Sequence, residues 1–319
     1  MTRLVMLDPG GPERAERMRP YLPEGWEVSV AASRGAADQQ AAIKAARYAI
    51  TGDVPVTAAM MAAPGLVAVH KWGVGYDNID LEAARHHRVR VLRTTGANAV
   101  AVAETTLALI LALGRGVVRG HDGIGRGQWR KAEIGPVSFT LTGRTVGIVG
   151  MGHIGQALAR RLRGFGCPIL YAKRTPLGEE ADAALSARHV PLDELLRASD
   201  VVTLNCELNA TTRGLIGAPE LALMRPHAIL VNAARGGVLD EGALADALRG
   251  ERLRGAALDV FEHEPIAPDH PLIGMERVIL TPHIGALSAD GFAASVTRMM
   301  SNLAAIEEGR PPREGDLLA

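Results

Sequence analysis

The chain has 319 residues, about twice the usual size of one domain, and 47% of them are apolar, so two domains with sizeable cores are expected. Lysine plus arginine equals aspartate plus glutamate at 35 each, and the formal net charge of zero excludes the strong positive field of proteins that bind nucleic acid or anionic membranes. The two cysteines have neither disulfide-framework nor metal-ligand spacing, so no metal site is expected.

The N-terminal segment is broken by Pro9-Gly10-Gly11 before a signal-peptide apolar region can develop. The most apolar stretch, Thr105 to Leu113, is far shorter than the ~20 residues of a membrane span. We therefore expect a soluble, cytoplasmic protein with neither a membrane nor a nucleic-acid partner.

Short apolar runs alternate with helical patterns in the first part of the chain. Strands are predicted at Leu4–Leu7, Val28–Val30, Tyr48–Ile50, Val67–His70 and Val89–Leu92. Helices are predicted between them at Arg14–Arg19, Gln39–Ala46, Thr57–Ala62 and Leu81–His86. Strand–helix alternation of this kind is typical of a parallel, doubly wound α/β sheet.

A long apolar helix is predicted next, with Asn98 as its N-cap. One face carries Val100, Ala103, Leu107, Ile110, Leu111 and Gly114. An apolar face does not reveal which chain covers it, so two interpretations stay open. The helix is either a core helix or a connector that also forms a dimer contact.

A second alternating series begins at Thr145. Strands are predicted at Val146–Val149, Ile169–Ala172, Val201–Asn205, Ile229–Asn232, Ala256–Val260 and Val278–Leu280. Helices are predicted at Gln156–Arg163, Leu192–Arg197, Pro219–Met224 and Gly242–Arg249, and a terminal helix at Phe292–Glu308. The chain is therefore predicted to contain two α/β units in tandem.

The first strand of this second series leads into the turn Gly150-Met151-Gly152-His153-Ile154-Gly155, and an amphipathic helix follows. Gly150 suits a tight turn, Gly152 close approach of the backbone to a pyrophosphate, and Gly155 close helix–strand packing. The helix N-terminus at His153 and Ile154 would offer N–H groups and a partial positive charge to the phosphates. Glycine-rich turns also have purely structural uses, but strand, turn and helix in this order predict a dinucleotide site.

The residues after the strand Ile169–Ala172 bear on the choice of coenzyme. NAD-specific proteins place a carboxylate there, about 20 residues past the glycines, to bind the ribose hydroxyls. This chain has Lys173, Arg174 and Thr175 instead, and the nearest acids begin the next helix. Two cations and a hydroxyl suit a 2′-phosphate, so NADP is the predicted coenzyme and NAD the alternative. The other interpretation is a basic surface turn that contacts nothing.

Four further segments resemble the D-isomer-specific 2-hydroxyacid dehydrogenase family. They are Gly73-Val74-Gly75-Tyr76-Asp77-Asn78-Ile79-Asp80, Asn232-Ala233-Ala234-Arg235-Gly236, Asp259-Val260-Phe261-Glu262-His263-Glu264-Pro265 and Thr281-Pro282-His283-Ile284-Gly285. With the glycine turn they cover almost the whole chain in the family's order, and the ordered set is specific although any one segment could occur by chance.

The resemblance implies Arg235, Glu264 and His283 as catalytic residues. A histidine has the near-neutral pKa that suits a proton donor to a carbonyl oxygen, and a paired carboxylate stabilises its charged form. A guanidinium can hold the substrate carboxylate through its planar fork of donors. Taken singly, Arg235 reads as a surface charge, Glu264 as a loop residue and His283 as a core histidine.

The same resemblance implies that the amides of Val74 and Gly75 grip the substrate carboxylate and that Asp259 contacts the nicotinamide carboxamide. One departure lies after the strand Val201–Leu204. The family usually has a proline-containing turn there, and this chain has Asn205-Cys206-Glu207, which leaves the adenosine-side contacts open.

The family fold implies two doubly wound parallel-sheet, Rossmann-like domains with a cleft between them. Residues 1–98 plus 287–319 would form a discontinuous substrate-binding domain, and residues 99–286 the dinucleotide-binding domain. The expected activity is reduction of a small 2-oxo acid of the glyoxylate or hydroxypyruvate type to the D-2-hydroxy acid, with a homodimer as the expected assembly.

Three alternatives remain at this point. A phosphoglycerate dehydrogenase lacking a regulatory domain is disfavoured because its family members carry arginines where this chain has Thr51-Gly52-Asp53. The acid Asp53 would repel a phosphate, so an unphosphorylated substrate is expected. A formate dehydrogenase is disfavoured because the histidine's partner there is a neutral amide, whereas Glu264 is acidic. A nucleotide-sensing interaction protein, as among the corepressors that share this fold, is an alternative of a different class.

Overall fold

A computed structural model describes all residues, Met1 to Ala319. The chain divides into two compact units. Unit 1 contains Met1–Asn98 and Leu287–Ala319, and unit 2 contains Ala99–Ala286. No single helix combines the length and apolarity of a membrane crossing; the helices Ala99–Arg115 and Val117–Gly125 reach that threshold only when counted together across a 65° bend.

Unit 1 is built on five parallel strands. They are β1 (Thr2–Met6), β2 (Trp26–Val30), β3 (Tyr48–Thr51), β4 (Ala68–Lys71) and β5 (Arg90–Leu92), and the helices between them are α1 (Pro12–Met18), α2 (Ala36–Lys44), α3 (Ala58–Met61) and α4 (Leu81–His87). The strand order is β2-β1-β3-β4-β5. It reverses between β1 and β3, which is the topology of a doubly wound sheet.

Both faces of this sheet are buried, as expected of parallel strands covered by helices. Val5 and Leu7 belong to one core cluster. Leu4 and Met6 belong to the other, which also contains Met299 and Leu303 of the terminal helix (Ala289–Glu307). Successive strand residues point to opposite faces, so this alternation fills two separate cores and gives the last helix one face of the unit 1 sheet to cover.

A buried polar network fastens the end of the chain to this unit. The Asn302 side-chain amide donates to His70 Nε2 at 3.1 Å and to Asp316 Oδ2 at 2.9 Å. Arg298 Nε donates to Asp316 Oδ2 at 2.7 Å, and the Thr95 amide donates to Asp316 Oδ1 at 2.9 Å. Buried polar groups are costly unless they are hydrogen-bonded, so this network specifies one position for the terminal segment.

The network makes unit 1 sensitive to acid. Burial lowers the pKa of His70 from 6.5 to about 4, against the opposing effects of its hydrogen bond to Lys71 and the charge of Asp316. Between these two values the unfolded chain binds a proton that the folded chain does not, so the free energy of unfolding should fall as pH drops from 6.5 to 4, by up to roughly 3 kcal/mol.

Urea unfolding followed from pH 7 to pH 4 measures this slope. His70→Gln should flatten it, whereas His87→Gln, which replaces an exposed histidine at the end of α4, should leave it unchanged. An equally steep loss of stability in the His70 variant would show that another group titrates.

Unit 2 is built on seven parallel strands. They are β6 (Val146–Val149), β7 (Ile169–Ala172), β8 (Ala187–His189), β9 (Val201–Leu204), β10 (Ile229–Asn232), β11 (Gly255–Leu258) and β12 (Val278–Leu280). Its helices are α5 (Ala99–Gly114), α6 (Val117–Gly125), α7 (Lys131–Ile134), α8 (His153–Leu162), α9 (Glu179–Leu185), α10 (Leu192–Ala198), α11 (Ala218–Leu223) and α12 (Glu241–Arg249). The order β12-β11-β10-β9-β6-β7-β8 is the Rossmann order extended by one strand.

The predicted fold class, two α/β units with parallel, doubly wound sheets, is therefore confirmed. The face predicted for α5 is partly wrong, because Val100 is 54% exposed and Thr106 is fully buried. The Thr106 hydroxyl donates to the Val102 carbonyl at 2.7 Å, which satisfies a polar group that hydropathy alone would have placed outside.

Candidate active site

Three glycines shape the turn between β6 and α8. At Gly150, φ is +99°, and a Cβ there would lie 2.5 Å from the Cys206 amide nitrogen. At Gly155, a Cβ would lie 2.3 Å from the Gly150 carbonyl oxygen. Nothing lies within 4 Å of a Cβ at Gly152. The first and third glycines are thus required by the chain's own packing, and the middle one borders open space at the strand ends.

The N-terminus of α8 faces this open space. Gly152 is the N-cap and provides no side chain to cap the helix, so the first-turn N–H groups at His153 and Ile154 are available to a ligand. Asn205, which follows the neighbouring strand β9, has a buried Nδ2 with no hydrogen-bond partner. A polar donor buried without a partner normally has one in the functional state, so the turn, the helix end and Asn205 fit a bound dinucleotide.

The residues predicted to bind the coenzyme's 2′-phosphate follow β7, the strand beside β6. Lys173, Arg174 and Thr175 are all exposed, and no acid forms an ion pair with either cation. Asp182, in the helix α9 that follows this turn, accepts a hydrogen bond from the Tyr171 hydroxyl at 2.7 Å. The turn therefore offers two cations and a hydroxyl to a ligand.

Arg235 follows β10 at the carboxyl edge of the unit 2 sheet. Asn232, the last residue of β10, accepts a hydrogen bond from the Ala234 amide at 3.1 Å and donates to the Arg235 carbonyl at 2.9 Å. Gly236 lies so close to the neighbouring chain that a Cβ would be 1.9 Å from the Phe261 carbonyl carbon. The residues that flank Arg235 in the motif thus fix its backbone.

Glu264 and His283 are in direct contact. His283 Nδ1 lies 2.7 Å from Glu264 Oε2, and the Phe261 amide donates to Glu264 Oε1 at 2.9 Å. About one third of each side chain is exposed, 34% for His283 and 31% for Glu264. The pair is therefore oriented by hydrogen bonds and still accessible to a small substrate.

Opposing effects act on the Glu264 carboxyl. Burial alone would raise its pKa, but hydrogen bonds from His283 and the Phe261 amide, with the charges of His283 and Arg235, hold the pKa below its usual value. Glu264 is consequently ionised at neutral pH and stabilises a positive charge on His283. The predicted catalytic residues Arg235, Glu264 and His283 are thus brought together within unit 2.

Asp259 anchors the turn that carries His283. It is 1% exposed, and its Oδ1 accepts from the Thr281 hydroxyl at 2.6 Å and the Ile284 amide at 2.9 Å. Its Oδ2 accepts from the Gly285 amide at 2.7 Å, and its carbonyl accepts from the His283 amide at 2.8 Å. These bonds hold His283 at φ +52°, a conformation that non-glycine residues adopt only when surrounding structure imposes it.

Sequence reasoning missed this positioning role of Asp259, because no spacing rule connects an aspartate with backbone amides 25 and 26 residues later. The nicotinamide contact expected for Asp259 stays a prediction.

The Gly73-Val74-Gly75 turn of unit 1 follows β4. Its position is set by Gly73, whose φ is +132° and whose carbonyl accepts from the Thr94 amide at 3.1 Å. The amides of Val74 and Gly75 donate to no group of the protein, and both residues are partly exposed. Successive unpaired amides of this kind can bind an anion, so both amides are available to the predicted substrate carboxylate.

Comparison with known proteins places this site in a family. The sequence profile of the D-isomer specific 2-hydroxyacid dehydrogenase NAD binding domain matches residues 107–285, more than half of the chain. Glyoxylate reductase of Thermococcus litoralis is 40% identical over 255 residues, which cover 78% of this chain and 76% of that protein. The chain belongs to the D-isomer-specific 2-hydroxyacid dehydrogenase family. The resemblance stated from the four motifs is confirmed.

Solved structures agree with this assignment. NADPH-dependent glyoxylate/hydroxypyruvate reductase from Sinorhizobium meliloti, in complex with NADP and malonate, is 30% identical with a TM-score of 0.84, over 100% of this chain and 97% of that one. NAD-dependent formate dehydrogenase from Staphylococcus aureus, in complex with NAD, is 28% identical with a TM-score of 0.90, over 100% and 99%. The matched domain is the family's NAD-binding domain, so unit 2 binds a nicotinamide coenzyme.

Proposed function

We propose that this family member reduces a small 2-oxo acid, of the glyoxylate or hydroxypyruvate type, to the D-2-hydroxy acid. The contact between His283 and the ionised Glu264, within range of the Arg235 charge, carries the proposal. It combines a proton donor with a cation that binds carboxylates, in the unit that binds the coenzyme. The names of the Thermococcus litoralis and Sinorhizobium meliloti relatives support this substrate class.

Reduction of a carbonyl requires a hydride for the carbon and a proton for the oxygen. The bound nicotinamide supplies the hydride. Arg235 binds the substrate carboxylate and polarises the adjacent carbonyl. In unit 1, the Val74 and Gly75 amides are proposed to bind a substrate carboxylate. With Nδ1 held by Glu264, His283 donates the proton from Nε2, and Glu264 stabilises its charged form beforehand. In the oxidative direction the same ring accepts the proton.

The acidic partner of His283 also discriminates among reactions. A 2-hydroxy acid has a hydroxyl proton that must be accepted during oxidation, and an imidazole stabilised in its charged form by Glu264 suits that step. Formate has no such hydroxyl. Formate oxidation is therefore disfavoured in spite of the close structural likeness to formate dehydrogenases.

For the coenzyme we propose a preference for NADP over NAD. Three exposed residues after β7, Lys173, Arg174 and Thr175, support it, because a 2′-phosphate would gain charge-assisted hydrogen bonds there. No carboxylate is placed at this turn to bind a ribose 2′-hydroxyl.

We also propose a homodimer formed through unit 2. Five large apolar side chains between residues 117 and 137 are 37% to 80% exposed, namely those of Val117, Val118, Ile124, Trp129 and Val137. An adjoining cavity of about 830 Å³ is lined in part by Leu113, Ile134 and Met275. Exposed apolar patches of this kind mark interaction surfaces, and a second copy of the chain is the partner proposed. Sedimentation velocity of the wild-type chain tests the dimer.

A steady-state survey of glyoxylate, hydroxypyruvate, pyruvate and bulkier 2-oxo acids, with NADPH and with NADH, tests the proposed function. The two smallest substrates are expected to give the best specificity constants. Tight coenzyme binding without turnover of any 2-oxo acid would contradict the proposal and would favour a nucleotide-sensing protein.

A further inference from the structure

The reversal of strand order in unit 1 creates a second place where a ligand could bind. The order reverses between β1 and β3, and ligands of open α/β sheets bind outside the carboxyl ends of the strands at such reversals. Asp8 follows β1 closely and Gly52 follows β3 directly, so both lie at this point. Asp8 is 6% exposed, so it is buried at this edge of the sheet.

Backbone amides of the loop after β3 bind the Asp8 carboxylate in the way that they would bind a free anion. Its Oδ1 accepts from the Asp53 amide at 2.8 Å and the Val54 amide at 3.2 Å, and its Oδ2 accepts from the Gly52 amide. Arg34 Nη2 lies 3.9 Å from the same Oδ1. Three successive amides that converge on one anion form a nest, the arrangement that binds phosphate in other proteins. In this chain the protein's own carboxylate fills it.

The nest is joined to the turn proposed to hold the substrate carboxylate. The Gly52 carbonyl accepts from Lys71 Nζ and from Asn78 Nδ2, the latter at 3.2 Å. Asn78 Nδ2 also donates to the Val54 carbonyl at 2.9 Å. Lys71 and Asn78 flank the segment that contains Val74, and β4 is hydrogen-bonded to β3. The loop that carries the nest is therefore hydrogen-bonded to residues on both sides of the proposed carboxylate-binding turn.

We propose that Asp8 is a specificity-determining residue that excludes 2-oxo acids with a second anionic group, such as a phosphate. Its carboxylate occupies the amides that such a group would need and repels the group by like charge. This inference rests on the proposed function, because it assumes reduction of a 2-oxo acid held at Val74 and Gly75. From the sequence alone, Asp53 is the acid expected to repel a phosphate. The Asp53 residue is exposed, and its amide, not its carboxylate, takes part in the nest.

The test compares phosphohydroxypyruvate with hydroxypyruvate as substrates of three proteins. Asp8→Ser should raise the ratio of their specificity constants by at least about tenfold over wild type, because it removes one like charge and frees three donors. Asp53→Asn removes an exposed charge from the same loop and should leave the ratio unchanged. An Asp8→Ser ratio within about twofold of wild type would overturn the proposal.

A second measurement does not depend on catalysis. Inorganic phosphate should raise the Tm of Asp8→Ser more than that of wild type or Asp53→Asn, because phosphate would bind the vacated nest. Asp8→Asn, which keeps the side-chain volume and an acceptor oxygen, covers the case in which the serine variant does not fold. Equal phosphate responses in all variants would show that Asp8 only closes the loop.

The two measurements also separate this inference from the function it assumes. If wild type turns over no 2-oxo acid, the proposed function fails, and the phosphate response still decides whether Asp8 fills an anion site. If wild type is active and neither readout changes in the Asp8 variants, the inference alone is wrong.

Discussion

Replacement of His283 by alanine is expected to lower kcat by about 10²–10⁴-fold, the usual contribution of a positioned general acid. The residue is partly exposed and its side chain contacts Glu264, so its removal should leave the fold and the coenzyme site intact. The dissociation constant for NADPH, measured by fluorescence titration, should change little. The expected result is a loss of rate without a loss of coenzyme binding.

Glu264→Gln provides the matched test of the pair. The glutamine keeps the shape and a hydrogen bond to His283 but removes the charge that favours the imidazolium. The pH profile of kcat should therefore shift its histidine limb to lower pH, and the rate near neutral pH should fall. His263→Gln, in the same segment but exposed, is the control and should behave like wild type. Near-normal turnover by the His283 variant would disprove the assignment.

Arg174→Ala is expected to raise KM for NADPH much more than KM for NADH. The guanidinium would make a charge-assisted hydrogen bond to a 2′-phosphate, and such bonds contribute about 1.5–3 kcal/mol, or roughly ten- to a hundredfold in affinity. The residue is exposed and forms no ion pair, so the change should not affect stability.

Arg197→Ala serves as the control for this coenzyme prediction, since it removes a cation from the last turn of α10. Its KM values for both coenzymes should stay at the wild-type level. A better specificity constant of the wild-type enzyme with NADH than with NADPH would contradict the coenzyme proposal.

The fold class was predictable because the spacing of apolar residues along a strand or helix indicates which side chains are buried. Strand residues such as Val146 and Ile148 are fully buried, and their strand is a continuous apolar run. The elements that were missed include α6, α7 and β8. Three of the nine residues of α6 are glycines, which are poor helix formers. In β8 only Ala187 is buried, while Arg188 is exposed, so no apolar run marks the strand.

The candidate site was predictable only where a motif carries it. The glycine turn and the segments around Arg235, Glu264 and His283 have characteristic local sequences. The buried carboxylates of Asp8 and Asp259 have none, because their partners are backbone amides of loops that are distant in sequence. Almost any residue type can supply a backbone amide, so no sequence pattern indicates such contacts. The tertiary structure is needed to find them.

The identity of the product formed from hydroxypyruvate by the wild-type enzyme tests the central claim most directly. We expect one D-glycerate for each NADPH oxidised, measured by chiral chromatography beside the absorbance of the coenzyme. Formation of L-glycerate, or no product at coenzyme and substrate saturation, would contradict the claim that this chain is a D-specific 2-oxo acid reductase.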